Sequence, residues 1–144
     1  MKIDINGVSI TLTKEQLVEI ARQTNQIKSY KDITSFEKAC EHQNINVSDF
    51  NSKLEGLAKD EIAFIKLKII VKAIRSFNNW VPNWSDSNEY KWRIWFDVEK
   101  GFSYCNTYCN FTITHVPSAL YVENDEQCRF LGNTFLDLFK DYII

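Results

Sequence analysis

An α+β domain is what the order of sequence periodicities predicts: helical spacing ahead of residue 80, two-residue alternation from 90, and helical spacing again from 124. The expected architecture is a small antiparallel sheet over about residues 90–122. It packs on a long central helix and a C-terminal helix, with an N-terminal β-hairpin and further helices ahead of them. All four tryptophans, Trp80, Trp84, Trp92 and Trp95, fall where the first regime gives way to the second. With 144 residues, 44% hydrophobic and 14% aromatic, residues 1–144 read as one domain able to bury a real core.

Residues 2–12 alternate, with Ile3, Ile5, Val8, Ile10 and Leu12 against polar neighbours. Asn6-Gly7 between the halves signals a hairpin, because a type I′ turn needs positive φ at both central positions. Thr13 opens a helix, with Gln16 at the reciprocal capping position and Leu17, Ile20 and Ala21 on one face. Thr34 is the expected cap of a second helix, with Glu37 three residues on, running to about His42. Asn44 to Ser48 connects to a short helical turn over Asp49 to Leu57.

Lys59 to Phe77 is the longest expected helix, and Asp60 and Glu61 suit its first turn. Ile62, Ala63, Leu67, Ile69, Ile70, Ala73, Ile74 and Phe77 cover more than half its circumference, so it should touch neighbours on two sides. Lys66 falls inside that apolar arc. A snorkelling stem and a buried, partnered ammonium both fit.

Asn78-Asn79 end the helix, Pro82 keeps Val81 extended, and residues 80–88 read as a turn-rich loop. From Tyr90 the period is two. Tyr90, Trp92, Ile94, Phe96 and Val98 are expected to face the core, and Lys91, Arg93, Trp95, Asp97 and Glu99 the solvent. Gly101 turns the chain into Phe102–Tyr104. A third strand is expected around Tyr108–Thr114, and a last one from Ala119 to Val122 after Pro117. Asn124 caps the closing helix with Gln127 in the reciprocal position, and Cys128, Leu131, Phe135, Leu138, Phe139 and Tyr142 form its apolar stripe. Gly132 lies beside that stripe. A helix-interior glycine costs about 1 kcal/mol against alanine, which close packing against a ring or backbone would account for.

Net charge is −2 and the pI about 5.7, which weakens a duplex-DNA reading, since that affinity comes from Lys and Arg on phosphates. The opening MKIDINGVSI has no apolar h-region, so no signal peptide is expected. Lys66, Lys68 and Lys72 interrupt the most apolar run, which makes it a core helix and not a membrane span. The expected location is therefore the cytoplasm. Cys40, Cys105, Cys109 and Cys128 then read as free thiols.

Chemistry-bearing constellations are weak. Cys105-x-x-x-Cys109 with His115 and Cys128 supplies only one arm of a zinc site, and in an extended strand the two cysteines stand about 13 Å apart. Cys40 and His42, two apart on a helix, do not face each other. Asp86, Asn88 and Asp97 fail as a calcium loop, with Lys91 where glycine is needed. Glu89, Asp97 and Glu99 read as solvated carboxylates and not a glycosidase pair. Four glycines scattered singly make no phosphate loop. No catalytic residue, metal ligand or cofactor is assigned.

Lys91, Arg93 and Trp95 share the outer strand face, beside the loop indoles Trp80 and Trp84, and form the candidate binding surface. Basic residues interleaved with a ring suit stacking on single-stranded nucleic acid. They equally suit a protein interface, where Trp and Arg dominate hot spots. The face could also pack under a loop or helix, and Trp80 and Trp84 could be loop anchors.

The segments KLKIIVKAI, NNWVPNWSDSNEYKWRIWF, GFSY and LFKDYII, with ITLTKEQLVEIARQ and ITSFEKAC ahead of them, resemble a group of small uncharacterised proteins from phages and prophages of the Bacteroidetes. The resemblance spans nearly the whole chain and implies no activity and no catalytic residue. The group favours Pro where this chain has Ile94, so the strand runs on here. It favours acidic or aromatic residues around 105–109, so no family-wide role attaches to Cys105 and Cys109. The expectation is a non-enzymatic, phage- or prophage-associated protein in a bacterial host cell, with virion association open. Its partner is another protein, of phage or host. A single-stranded nucleic-acid binder is the alternative, and an enzyme with an unrecognised site the third reading. No membrane partner is expected, and the oligomeric state is open.

Overall fold

The computed structural model describes residues 2–5, 8–16, 27–99, 101–112 and 118–144, and its fold is α+β. Strands β1 (Lys2–Ile5) and β2 (Val8–Thr11) pair antiparallel, with Ile3 opposite Ile10. The Asn6-Gly7 turn and most of the following helix lie outside the described residues. At that helix's start Thr13 and Gln16 exchange backbone-to-side-chain bonds of 3.0 and 3.2 Å, which is the capping box that the sequence expects.

Helix α1 (Phe36–His42) is capped by Ser35, whose hydroxyl accepts from the Lys38 amide at 3.3 Å. The expected cap, Thr34, lies one residue too early; starting at Phe36 buries the Phe36 ring. Helix α2 (Val47–Ser52), by contrast, starts earlier than expected, because Asn46 Oδ1 accepts from the Asp49 amide. Helix α3 (Lys59–Ser76) is central: Ala63, Leu67, Ile70, Val71, Ala73 and Ile74 are buried, between α1 on one side and α5 (Leu136–Ile143) on the other. The Lys66 ammonium stands 5.2 Å over the Phe36 ring, with its stem half-buried, which is the snorkelling arrangement.

Strands β3 (Lys91–Asp97) and β4 (Ser103–Asn110) pair antiparallel, and Val122 bridges to Trp92 on the other edge of β3. One strand, β4, thus runs where two are expected around 102–104 and 108–114, residues 113 and 114 of the second lying outside the described residues. Ala119 to Val122 is not a strand: Ser118–Leu120 is a 3-10 turn and only Val122 joins the sheet. The register shifts between Trp95 and Phe96, leaving Cys105 as the extra residue of a bulge.

Trp92, Ile94 and Phe96 pack toward the core. Tyr90 and Val98 do not, contrary to their place in the alternation; both are exposed, because β3 begins after the one and ends before the other. Helix α4 (Asp125–Thr134) lies under β3 and β4. Its cap is as expected, with Gln127 N bonded to Asn124 Oδ1 at 2.9 Å. Gly132 sits against the sheet: an added Cβ would stand 2.7 Å from Tyr104 Cδ2 and 3.1 Å from Ile94 Cγ2. That is the close ring contact that excuses a glycine there. The closing helix is broken at Phe135 (φ −114°, ψ 30°) into α4 and α5, and Phe139 of α5 meets the Phe96 ring at 4.8 Å.

Candidate functional site

The loop after α3 starts from a left-handed residue. Asn79 takes φ 51°, Asn79 N bonds Ser76 O, and Trp80 N returns to Arg75 O. This is a Schellman closure, in which Asn substitutes for the usual glycine. It folds the Trp80 ring back onto the Arg75 guanidinium, 5.2 Å away. Arg75 Nε in turn donates to Tyr121 O at 2.7 Å. Burial pulls that guanidinium down to about 10, so it stays charged at neutral pH, with backbone carbonyls of the 118–121 segment as its partners.

Glu89 is the hub of the loop. Its carboxylate accepts from Trp80 Nε1 at 2.8 Å and the Asn83 amide at 2.7 Å, and pairs with Lys91 Nζ at 3.0 Å. Desolvation alone would raise this carboxyl. The bonds from Lys91, Asn83 and Trp80 outweigh it and hold the group below its ordinary value. Lys91 Nζ also donates to Asp86 O and Glu89 O at 3.1 and 2.9 Å, and lies 5.6 Å from the Trp84 ring. Trp84 stands edge-on to Tyr121 at 5.2 Å.

Three of the five expected surface residues are therefore anchors. Lys91 has no exposed surface, against its expected place in a solvent-facing row, because the loop folds back over its end of the sheet. Trp80 and Trp84 are half-buried plugs of that loop, although Trp80 also lines a shallow cavity of about 290 Å³ with Lys72, Arg75, Ser76, Asn79 and Val81.

Arg93 and Trp95 remain, joined by Tyr108, which the register sets opposite Arg93. The Arg93 guanidinium lies 5.1 Å from the Trp95 ring and 5.4 Å from the Tyr108 ring, and the two rings are 6.1 Å apart. Trp95 is 50% exposed and Tyr108 53%. Arg93 Nε donates to Asn110 Oδ1 at 3.3 Å. No carboxylate among the described residues lies within ion-pair distance of Arg93, while Lys31, Lys59, Lys91 and Arg129 all have one. Tyr108 escapes a reading from sequence because SYCNTYCN has no clean alternation; only its register opposite Arg93 marks it.

Elsewhere, the described thiols and the described histidine do not form an activated nucleophile pair. Cys40 and Cys128 are buried, and desolvation first of all raises both thiols, which disfavours the nucleophilic thiolate. His42 Nε2 meets Ser76 Oγ at 2.8 Å, but the Ser76 hydroxyl donates to Ala73 O. The serine thus accepts from the imidazole, the reverse of what an activated nucleophile needs. Among the described residues no three of His, Cys, Asp and Glu cluster as metal ligands, and no helix is long and apolar enough to cross a membrane. Comparison with protein-family models, curated proteins and solved structures finds no match.

Proposed function

We propose that the protein is a non-enzymatic protein-interaction module whose contact surface is the open end of the sheet: Arg93, Trp95 and Tyr108. The observation that carries this is the Arg93 guanidinium set beside both the Trp95 and the Tyr108 ring. Trp, Tyr and Arg are the residue types that dominate hot spots, and here they are preorganised against one another while two rings stay half exposed. The resemblance to phage and prophage proteins adds a setting, a bacterial host cell, and a partner of phage or host origin.

The nucleic-acid alternative loses support once Lys91 is paired with Glu89 inside the loop, because one cation beside two rings makes a weak electrostatic platform. The test pairs two titrations. Capture from lysogenic host cells with wild-type protein should yield a species that Trp95→Ala and Tyr108→Ala each weaken by about 2 kcal/mol or more. Oligo-dT at low salt should not bind. Micromolar, salt-sensitive binding of oligo-dT that Arg93→Ala removes would replace the protein reading with the nucleic-acid one.

A further inference from the structure

Among the described residues the open face ends at an unpaired strand edge, and we propose that the partner is an extended acidic segment added as a further strand along the outer edge of β4. This rests on the interaction reading above and names the chemistry of what it binds.

Trp92 exchanges both backbone bonds with Val122 at 2.9 Å each. Successive residues of an antiparallel ladder turn their bonding groups to opposite sides. Lys91, Arg93 and Trp95 therefore bond toward β4, to Asn110, Tyr108 and Asn106. On β4, Thr107 and Cys109 then turn their N–H and C=O away from β3. Asn106 Oδ1 takes the Thr107 amide at 2.8 Å. Among the described residues no strand pairs with that outer edge, and no backbone group meets Cys109 there.

Exposed edges are normally guarded by charge, proline, a bulge or a cover. Ser103–Asn110 contains no charged residue and no proline. Its bulge, at Cys105, lies four positions from Cys109, so among the described residues the 107–110 end has no guard beyond the Asn106 side chain on the Thr107 amide.

Charge then selects the occupant. Arg93 lies beside Trp95 of its own strand and also reaches across β4, bonding Asn110 and meeting the Tyr108 ring. A residue on an added strand opposite Tyr108 or Asn110 has its Cβ about 5 Å from theirs, within reach of the two guanidinium Nη groups. An Asp or Glu there completes a fork-to-carboxylate pair. The neighbouring cation on the same face already shows this solution, since Glu89 supplies Lys91. A second copy pairing through its own β4 brings no carboxylate, and a proline-rich strand lacks the N–H donors that Cys109 O requires.

The test selects a random decapeptide library on the intact protein, with wild-type, Arg93→Gln, Arg93→Lys and Trp95→Ala proteins as parallel baits. Wild type should enrich alternating β-branched or aromatic residues with one Asp or Glu at a fixed place. The enriched peptide should bind Arg93→Gln about tenfold more weakly or worse, with partial retention by Arg93→Lys, and should slow amide exchange at Cys109. Enrichment of proline-rich or basic sequences, no enrichment, or binding that leaves Cys109 exchange unchanged overturns strand addition. If such binding still falls in Trp95→Ala, the interaction reading survives that failure. Enrichment indifferent to Arg93 and Trp95 alike overturns both.

Discussion

Lys91 and Arg93 stand two residues apart on one face of one strand and have opposite surroundings. Lys91 is roofed by residues 80–90: a carboxylate, two carbonyls and an indole enclose its ammonium. Arg93 has an indole and a phenol beside it, one amide oxygen, and among the described residues no carboxylate. Both are cations next to rings. One set is closed by the chain itself, and among the described residues the other stays open. A cation–aromatic cluster thus becomes structural or available according to whether a loop returns over it.

The largest effect should separate these two residues. Lys91→Ala removes one member of a buried pair and should cost about 3–5 kcal/mol, read as a lower urea midpoint. Arg93→Ala, at the open end, should cost about 1 kcal/mol or less. Equal shifts would break the comparison. The strand's two indoles sharpen it next. Trp92→Ala, partly buried against the core, should cost about 3 kcal/mol, and Trp95→Ala about 0.5 kcal/mol or less.

Gly132→Ala tests the sheet's underside. The new methyl would press on the Tyr104 ring, and overpacking of that kind should outweigh the helix-propensity gain, for a net loss of about 1–2 kcal/mol. A stabilised variant would mean that Tyr104 yields freely.

The smallest expected effect is in pH. Glu89 is held below its ordinary 4.5 in the folded state, so its contribution is complete above pH 4.5 and is lost as pH falls through the lowered folded value. Asp125, held below 3.8 by Arg129 and Thr107, acts in the same direction. Glu89→Gln should therefore flatten part of the acid limb of a stability–pH curve below 4.5. An unchanged limb would remove Glu89 from the roof's energetics.

Much of this frame is legible in sequence, because burial imposes periodicity. The two-sided apolar face of α3, the alternation through Trp92, Ile94 and Phe96, and the oddity of Gly132 are local patterns with a local physical reading. What escapes is set by chain return. Alternation puts Lys91 outward, and nothing within the strand tells that Glu89 and Trp84 will fold over it. Tyr108 matters only through its register with Arg93. A bulge at Cys105 and a single bridge at Val122 blur the strands that follow. The choice of Ser35 over Thr34 as a cap turns on which start buries Phe36, a tertiary preference between two adequate hydroxyls.

The most direct test of the open-face account is a ¹⁹F spectrum of protein carrying 5-fluorotryptophan, titrated with the decapeptide that selection enriches most. Trp95 should shift or broaden on binding, while Trp80, Trp84 and Trp92 stay within the line width. Movement of Trp80 or Trp84 with Trp95 unchanged would contradict the account and move the binding surface to the loop.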